Sequence, residues 1–137
     1  MEDEILGTLT WEDRIGWCGT IPLANGKTAT LTIDAAKTDQ AIPEVIRKAA
    51  TRVIANEPQI RAKIAADMSK IYNETWSGGD TITPEEMARR ITLVDLSVYE
   101  EGDGALSYEA DDDLFTDHTI CAYMDVYGEI DEPGLEG

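Results

Sequence analysis

The 137 residues, 42% hydrophobic and 7% aromatic, suit one folded domain spanning 1–137 with a core of its own, not a disordered acidic tail. A formal net charge of -17 disfavours direct binding to nucleic acid or an anionic membrane. No stretch reaches membrane-span length. Two cysteines far apart in sequence, Cys18 and Cys121, and an acidic start with no apolar run behind it point to a reducing cytoplasm.

The chain reads as strands first. Leu6–Trp11 and Arg14–Ile21 are short apolar runs separated by the turn-like Glu12-Asp13. Asn25-Gly26 predicts a tight turn, because both residues accept positive φ. Beyond it, Ala29, Leu31 and Ile33 alternate with Thr28, Thr30 and Thr32, predicting a half-buried strand with a hydroxyl-bearing outer face.

The middle, roughly 40–90, has helical spacing. Ile42, Val45, Ile46, Ala49, Val53 and Ile54 form one apolar stripe. Asn56-Glu57-Pro58 predicts a break, with Asn56 capping a second helix striped by Ile60, Ile64, Met68, Ile71 and Tyr72. After the Ser77–Asp80 loop, Thr83-Pro84-Glu85-Glu86 has the form of a capping box with proline at the first helical position, and Ile82 is placed to staple onto Met87.

Strands return in the last third. Ile91–Tyr99 carries Val94, Leu96 and Val98 on one side; Glu101–Gly104 is a turn, and Ala105–Glu109 a short strand. From His118 to Tyr127, Ile120, Ala122, Met124 and Val126 alternate with Thr119, Cys121, Tyr123 and Asp125. The expected fold is α+β: an antiparallel sheet from two strand blocks, β-β-β and β-β-β, with a central helical block packed on one face.

Charge divides along the same lines. From Ile91 to Gly137 there are fourteen Asp and Glu, half of the 28 in the chain, and no Lys or Arg. The helical block is mildly basic through Arg47, Lys48, Arg52, Arg61, Lys63 and Lys70. The one-sided field attracts basic surfaces.

The residues carry no motif of an enzyme. His118 is the only histidine, so no histidine-rich metal site exists. A triad of Cys18 or Cys121 with His118 and an aspartate matches no hydrolase motif, and both cysteines fall inside strands. Asp111, Asp112, Asp113, Asp117, Asp103 and Glu109 offer oxygens to a hard cation, but without EF-hand spacing a solvated acidic turn is the simpler reading. Trp11, Trp17 and Trp76 suit core or interface anchors. No cofactor and no metal are expected.

Leu6-Gly7-x-Leu9-x-Trp11, then Trp17-x-Gly19, and later Asp113-Leu114-Phe115-x-x-His118-x-Ile120 with closing Gly128 and Leu135-Glu136-Gly137, resemble the bacterial domain-of-unknown-function family numbered twenty-two sixty-two. The resemblance covers nearly the whole chain and implies a small cytoplasmic α+β protein without an assigned activity. Asp117 stands where members usually have glycine before the histidine. Families of this kind often accompany toxins as immunity proteins.

The expectation is therefore a non-enzymatic acidic inhibitor that binds a basic protein, such as a nuclease toxin, with carboxylates standing in for phosphates. A phage anti-defence DNA mimic uses the same physics. A housekeeping protein whose charge serves solubility, or a divalent-cation binder, are the alternatives. The expected contacts are Asp111, Asp112, Asp113, Asp117, Asp103, Glu100 and Glu101, with Tyr99, Tyr108 and Tyr123 as aromatic anchors. His118 is either a contact or switch at the start of the last long strand, or a structural residue bonded to neighbouring backbone beside a core Phe115.

Overall fold

A computed structural model describes residues 1–111 and 114–137. Near the N-terminus, β1 (Glu2–Asp3) and β2 (Gly7–Thr8) form a small hairpin. The main sheet has seven strands in chain order: β3 (Thr10–Glu12), β4 (Gly16–Pro22), β5 (Thr28–Ile33), β6 (Ile91–Val98), β7 (Gly104–Ala110), β8 (Thr119–Met124) and β9 (Gly134–Glu136). Every neighbouring pair is antiparallel except β5 and β6, which are parallel and mark where the two expected blocks join. A parallel pair cannot be joined by a tight turn, so the helical middle makes the crossover.

The alternation expected in β5 and β8 is present. Ala29, Leu31, Ile33, Ile120, Ala122 and Met124 are buried, while Thr28 and Thr30 face outward. In β6 the expected side is correct only for Leu96 and Val98. Leu93 pairs with Tyr108 and Asp95 with Ser107, so Val94 is the extra residue of a bulge. The bulge puts Leu93 in the core instead of Val94. At the Asn25-Gly26 turn, Gly26 has φ +82° and Asn25 Oδ1 accepts from the Lys27 N–H at 3.0 Å.

The break expected at Pro58 does not occur. One helix, α1 (Glu44–Ile71), runs through it. Asn56 is no cap: its Nδ2 donates to the Arg52 carbonyl at 2.8 Å. Ile46, Ala49, Ala50 and Val53 before the proline and Ile64, Ala65 and Met68 after it are all buried. Burial on both sides holds the helix together across a residue that lacks an N–H. A π-helical turn (Tyr72–Trp76) extends α1. Asn73 then clamps the following loop, exchanging 2.8 and 2.9 Å bonds with the backbone of Ile82. The expected N-cap is present: α2 (Pro84–Arg90) begins with Thr83 Oγ1 accepting from the Glu86 N–H at 3.1 Å, while the Glu86 carboxylate pairs with Arg89, and Ile82 and Met87 are buried.

The helices cover one face. Outside the sheet's main span, the N-terminal hairpin is tied to α1 by Asp3, whose side chain is 2% exposed. Its Oδ1 accepts from the N–H groups of Ile5 and Leu6 at 2.9 Å, and Oδ2 accepts from Arg47 Nε and Nη2 at 3.0 and 2.8 Å. Burial pushes this carboxyl up, but the two backbone donors and the guanidinium outweigh it and hold it below its ordinary value of 3.8.

Two outcomes are expected. Asp3→Asn should cost about 2–3 kcal/mol at neutral pH, because the hairpin loses its charge-assisted bonds. Since the folded carboxyl titrates lower than the unfolded one, that stability is present above 3.8 and disappears as pH falls through the folded value; urea melts at neutral and acid pH check it. Pro58→Ala restores an N–H to a continuous helix and should raise stability by about 1–3 kcal/mol in the same melts.

Candidate protein-interaction face

The register fixes what the uncovered face of the sheet presents. Crossing from β4 to β8, one row reads Thr20, Thr30, Asp95, Ser107, Cys121, and the next reads Cys18, Thr32, Ser97, Ala105, Tyr123. Glu12 and Glu136 lie on the same side at the margins. None of these outward positions is Lys or Arg. Asp95 is half-buried in the middle, with Ser97 Oγ donating to it at 3.1 Å; burial pushes its carboxyl up. Both thiols are also pushed up by burial, assisted by Glu12 at Cys18 and by Glu136 at Cys121, so each is held in the protonated, weakly nucleophilic form.

One end of this face is acidic and aromatic. Asp103, Tyr123, Met124, Asp125, Val126, Glu129 and Asp131 line a groove of about 310 Å³. Tyr123 is 55% exposed and Tyr127 82%. The groove is built on fixed turns. Tyr99 N–H donates to the Asp103 carbonyl at 2.8 Å, and Asp131 N–H donates to the Tyr123 carbonyl at 2.9 Å. Asp125 Oδ1 accepts from the Tyr127 and Glu129 N–H groups, both at 2.9 Å, and Gly128 supplies φ +88°. Tyr99 stands beside this cluster; burial first, then Tyr123, Asp103 and Asp95, push its phenol up. From the helix side, Lys63 Nζ donates to the Ile130 carbonyl. Half of the helical block's six cations are tied into the fold: this one holds the acidic turn, and Arg47 and Arg61 pair with Asp3 and Glu57, while Lys48 and Lys70 are exposed.

The expected contacts divide between the two ends of β7, about 20 Å apart. Asp103 and Tyr123 line the acidic groove and Tyr99 stands beside them, while Glu100 and Glu101 are exposed in the β6–β7 turn at the same end of β7. Asp111, Asp117 and His118 lie at the other end. There Asp111 pairs with Arg90 at 3.3 Å, and Asp117 is exposed. Asp112 and Asp113 fall outside the described residues. Tyr108 cannot be a surface anchor: it is 0% exposed, with its hydroxyl directed at Glu57. Its place opposite Leu93, behind the bulge, sets it facing the core.

His118 has the structural surroundings. Nδ1 lies 3.0 Å from the Phe115 carbonyl and 3.1 Å from Thr116 Oγ1, and its ring meets Trp76 edge-on at 5.3 Å. Phe115 is 1% exposed and packs edge-on against Tyr72 and Trp76. Trp17 is buried with Nε1 donating to Ala36, and Trp11 packs on it at 5.6 Å. The residues missed from sequence are Asp125, Val126, Tyr127, Glu129 and Asp131. Their signal is an aspartate three residues before Gly128, which makes a turn rather than the continuing strand that the alternation predicts.

Among the described residues, no cluster of metal-ligating side chains occurs and no helix is long and apolar enough to cross a membrane. No curated protein and no solved structure matches the chain. The profile of a family of uncharacterized proteins conserved in bacteria, DUF2262, matches residues 3–135. With nearly its whole length matched, as its Leu-Gly, Trp and Phe-x-x-His elements implied, the chain belongs to the DUF2262 family.

Proposed function

We propose that the protein is a non-enzymatic inhibitor that captures a basic protein partner on its acidic, tyrosine-bearing end, in the role of an immunity protein against a toxin such as a nuclease. The observation that carries this reading is the groove of Asp103, Asp125, Glu129 and Asp131 around the exposed Tyr123. Carboxylates on fixed turns resemble the phosphates that a nucleic-acid-cleaving protein is built to hold, and they speed encounter with a cationic surface. Tyr123 supplies the rigid apolar contact that resists dissociation. Two unpaired cysteines, on strands roughly 19 Å apart, fit action in the cytoplasm.

Capture from the native host at low ionic strength should recover a basic protein that high salt releases. Asp103→Asn, Glu129→Gln and Asp131→Asn together should slow its association about tenfold and flatten the salt dependence. Tyr123→Ala should cost about 1–2 kcal/mol of affinity. Asp117→Asn, at the far end of β7, should change neither. Absence of any basic partner, or a partner indifferent to salt and to the triple variant, would sink the reading.

A further inference from the structure

A chamber of about 190 Å³ lies between α1 and the β4–β5 hairpin, on a different part of the molecule from the acidic groove. Its walls include Ile21, Leu23, Val53, Ile54, Pro58 and Leu93, and among the described residues Glu57 is its only charged lining residue. A narrow recess of about 10 Å³ shares Leu23, Ala24, Glu57 and Leu93 with it and adds Arg61 and Thr92. Glu57 thus stands at the junction of an apolar space and a polar one.

The polar groups there are under-satisfied. Glu57 is 9% exposed. Its Oε2 lies 3.5 Å from the Tyr108 hydroxyl, at the outer edge of a hydrogen bond. The same oxygen is 3.6 Å from Arg61 Nε, an ion pair too long to be a hydrogen bond. Arg61 Nε is shielded from solvent and has no hydrogen-bond partner among the described residues. A buried donor without an acceptor is uncommon and asks for an explanation. Here the acceptor lines an apolar chamber large enough for a small ring, since a dry cavity of about 150 Å³ in another protein takes up benzene, and the unused donor lines the adjoining recess, which has room for a single small polar group.

We propose that this chamber binds a neutral small molecule with an apolar body of about one ring and a single hydroxyl head. The hydroxyl donates to the Glu57 carboxylate, and its oxygen accepts from Arg61 Nε. A hydroxyl does both at once. An anionic head would meet Glu57 and the field of a chain carrying -17, and a cationic head, having no acceptor, would leave Arg61 Nε unsatisfied beside it. The aliphatic walls take the body, and the polar pair fixes its orientation, as in small-molecule sites generally.

The test titrates the full chain with para-cresol, toluene, benzoate and benzylammonium, following backbone amide NMR shifts. Para-cresol should give saturable shifts at Leu23, Ala24, Ile54 and Leu93. Toluene, which lacks the hydroxyl, should bind about tenfold more weakly, and both charged probes more weakly than para-cresol. Arg61→Met should abolish the preference for para-cresol over toluene. Ala24→Trp, at an exposed rim position, should weaken all four. No saturable shifts at these residues, equal affinity for para-cresol and toluene, or tighter binding of a charged probe would overturn the proposal. The comparison of probes on the native chain stands whether or not either variant folds.

Discussion

One long helix has to cover most of a seven-stranded sheet, and much of the molecule follows from that. At about 1.5 Å per residue, the 28 residues of α1 extend about 42 Å, well beyond the eight residues of the central strand β6. Val45 meets the turn after β6 at Gly102, and Glu57 reaches Tyr108 opposite Leu93, so the helix runs back along β6 as a parallel crossover requires. It cannot also reach both margins. Beyond β4, the gap is closed by Leu6, Leu9 and the paired Trp11 and Trp17, held by the Asp3–Arg47 link. At the far end of the helix, the π-helical turn brings Tyr72 and Trp76 onto Phe115. The chamber beside Pro58 is a place where this single-helix cover leaves space.

The same arrangement determines where charge is neutralised. Three of the six cations of α1 are drawn inward or along the helix: Arg47 to Asp3, Arg61 to Glu57, Lys63 to the Ile130 carbonyl. They hold margins and turns in place. Among the described residues, the groove lined by Asp103, Asp125, Glu129 and Asp131 has no basic lining residue. Part of the charge that looks like a helix-versus-strand polarity in the sequence becomes stitching in the fold, with Lys63 at Ile130 and the Arg52 guanidinium against Gly128 backing the acidic turn from the helix side.

Period and caps were legible because they act locally. The threonine alternation of β5, the apolar alternation of β8 and the Thr83 cap each need only a few residues to declare themselves. Pro58 misled for the converse reason: its local penalty is real, but buried side chains on both sides of it override it. Val94 misleads because a bulge is invisible to a strict two-residue period, and the same shift sits across from Tyr108, which faces the core and not the surface. The acidic residues were legible as a bias but not as a site. Nearness in sequence put Asp103 and Asp117 in one set, and the length of β7 separates them. Asp125, Glu129 and Asp131 join Asp103 only through the β8–β9 turn, a pairing no single-strand pattern encodes.

The placement of the carboxylates bears on whether the charge serves solubility or recognition. Solubility asks only for charge that is well hydrated, and scattered, mixed-sign surface charge supplies it at little cost. Asp95 is the opposite case. It is half-buried at the centre of the open face, its carboxyl is pushed up by burial, and its hydrogen-bond donor is a hydroxyl rather than a cation. Like-signed carboxylates facing one groove add repulsion of the same kind. Both features oppose folding stability, and residues that break local rules in this way concentrate where a protein meets something else. Lys63 at the Ile130 carbonyl and the Arg52 guanidinium against Gly128 offset part of that repulsion from the helix side, and a cationic partner of the kind proposed would offset more.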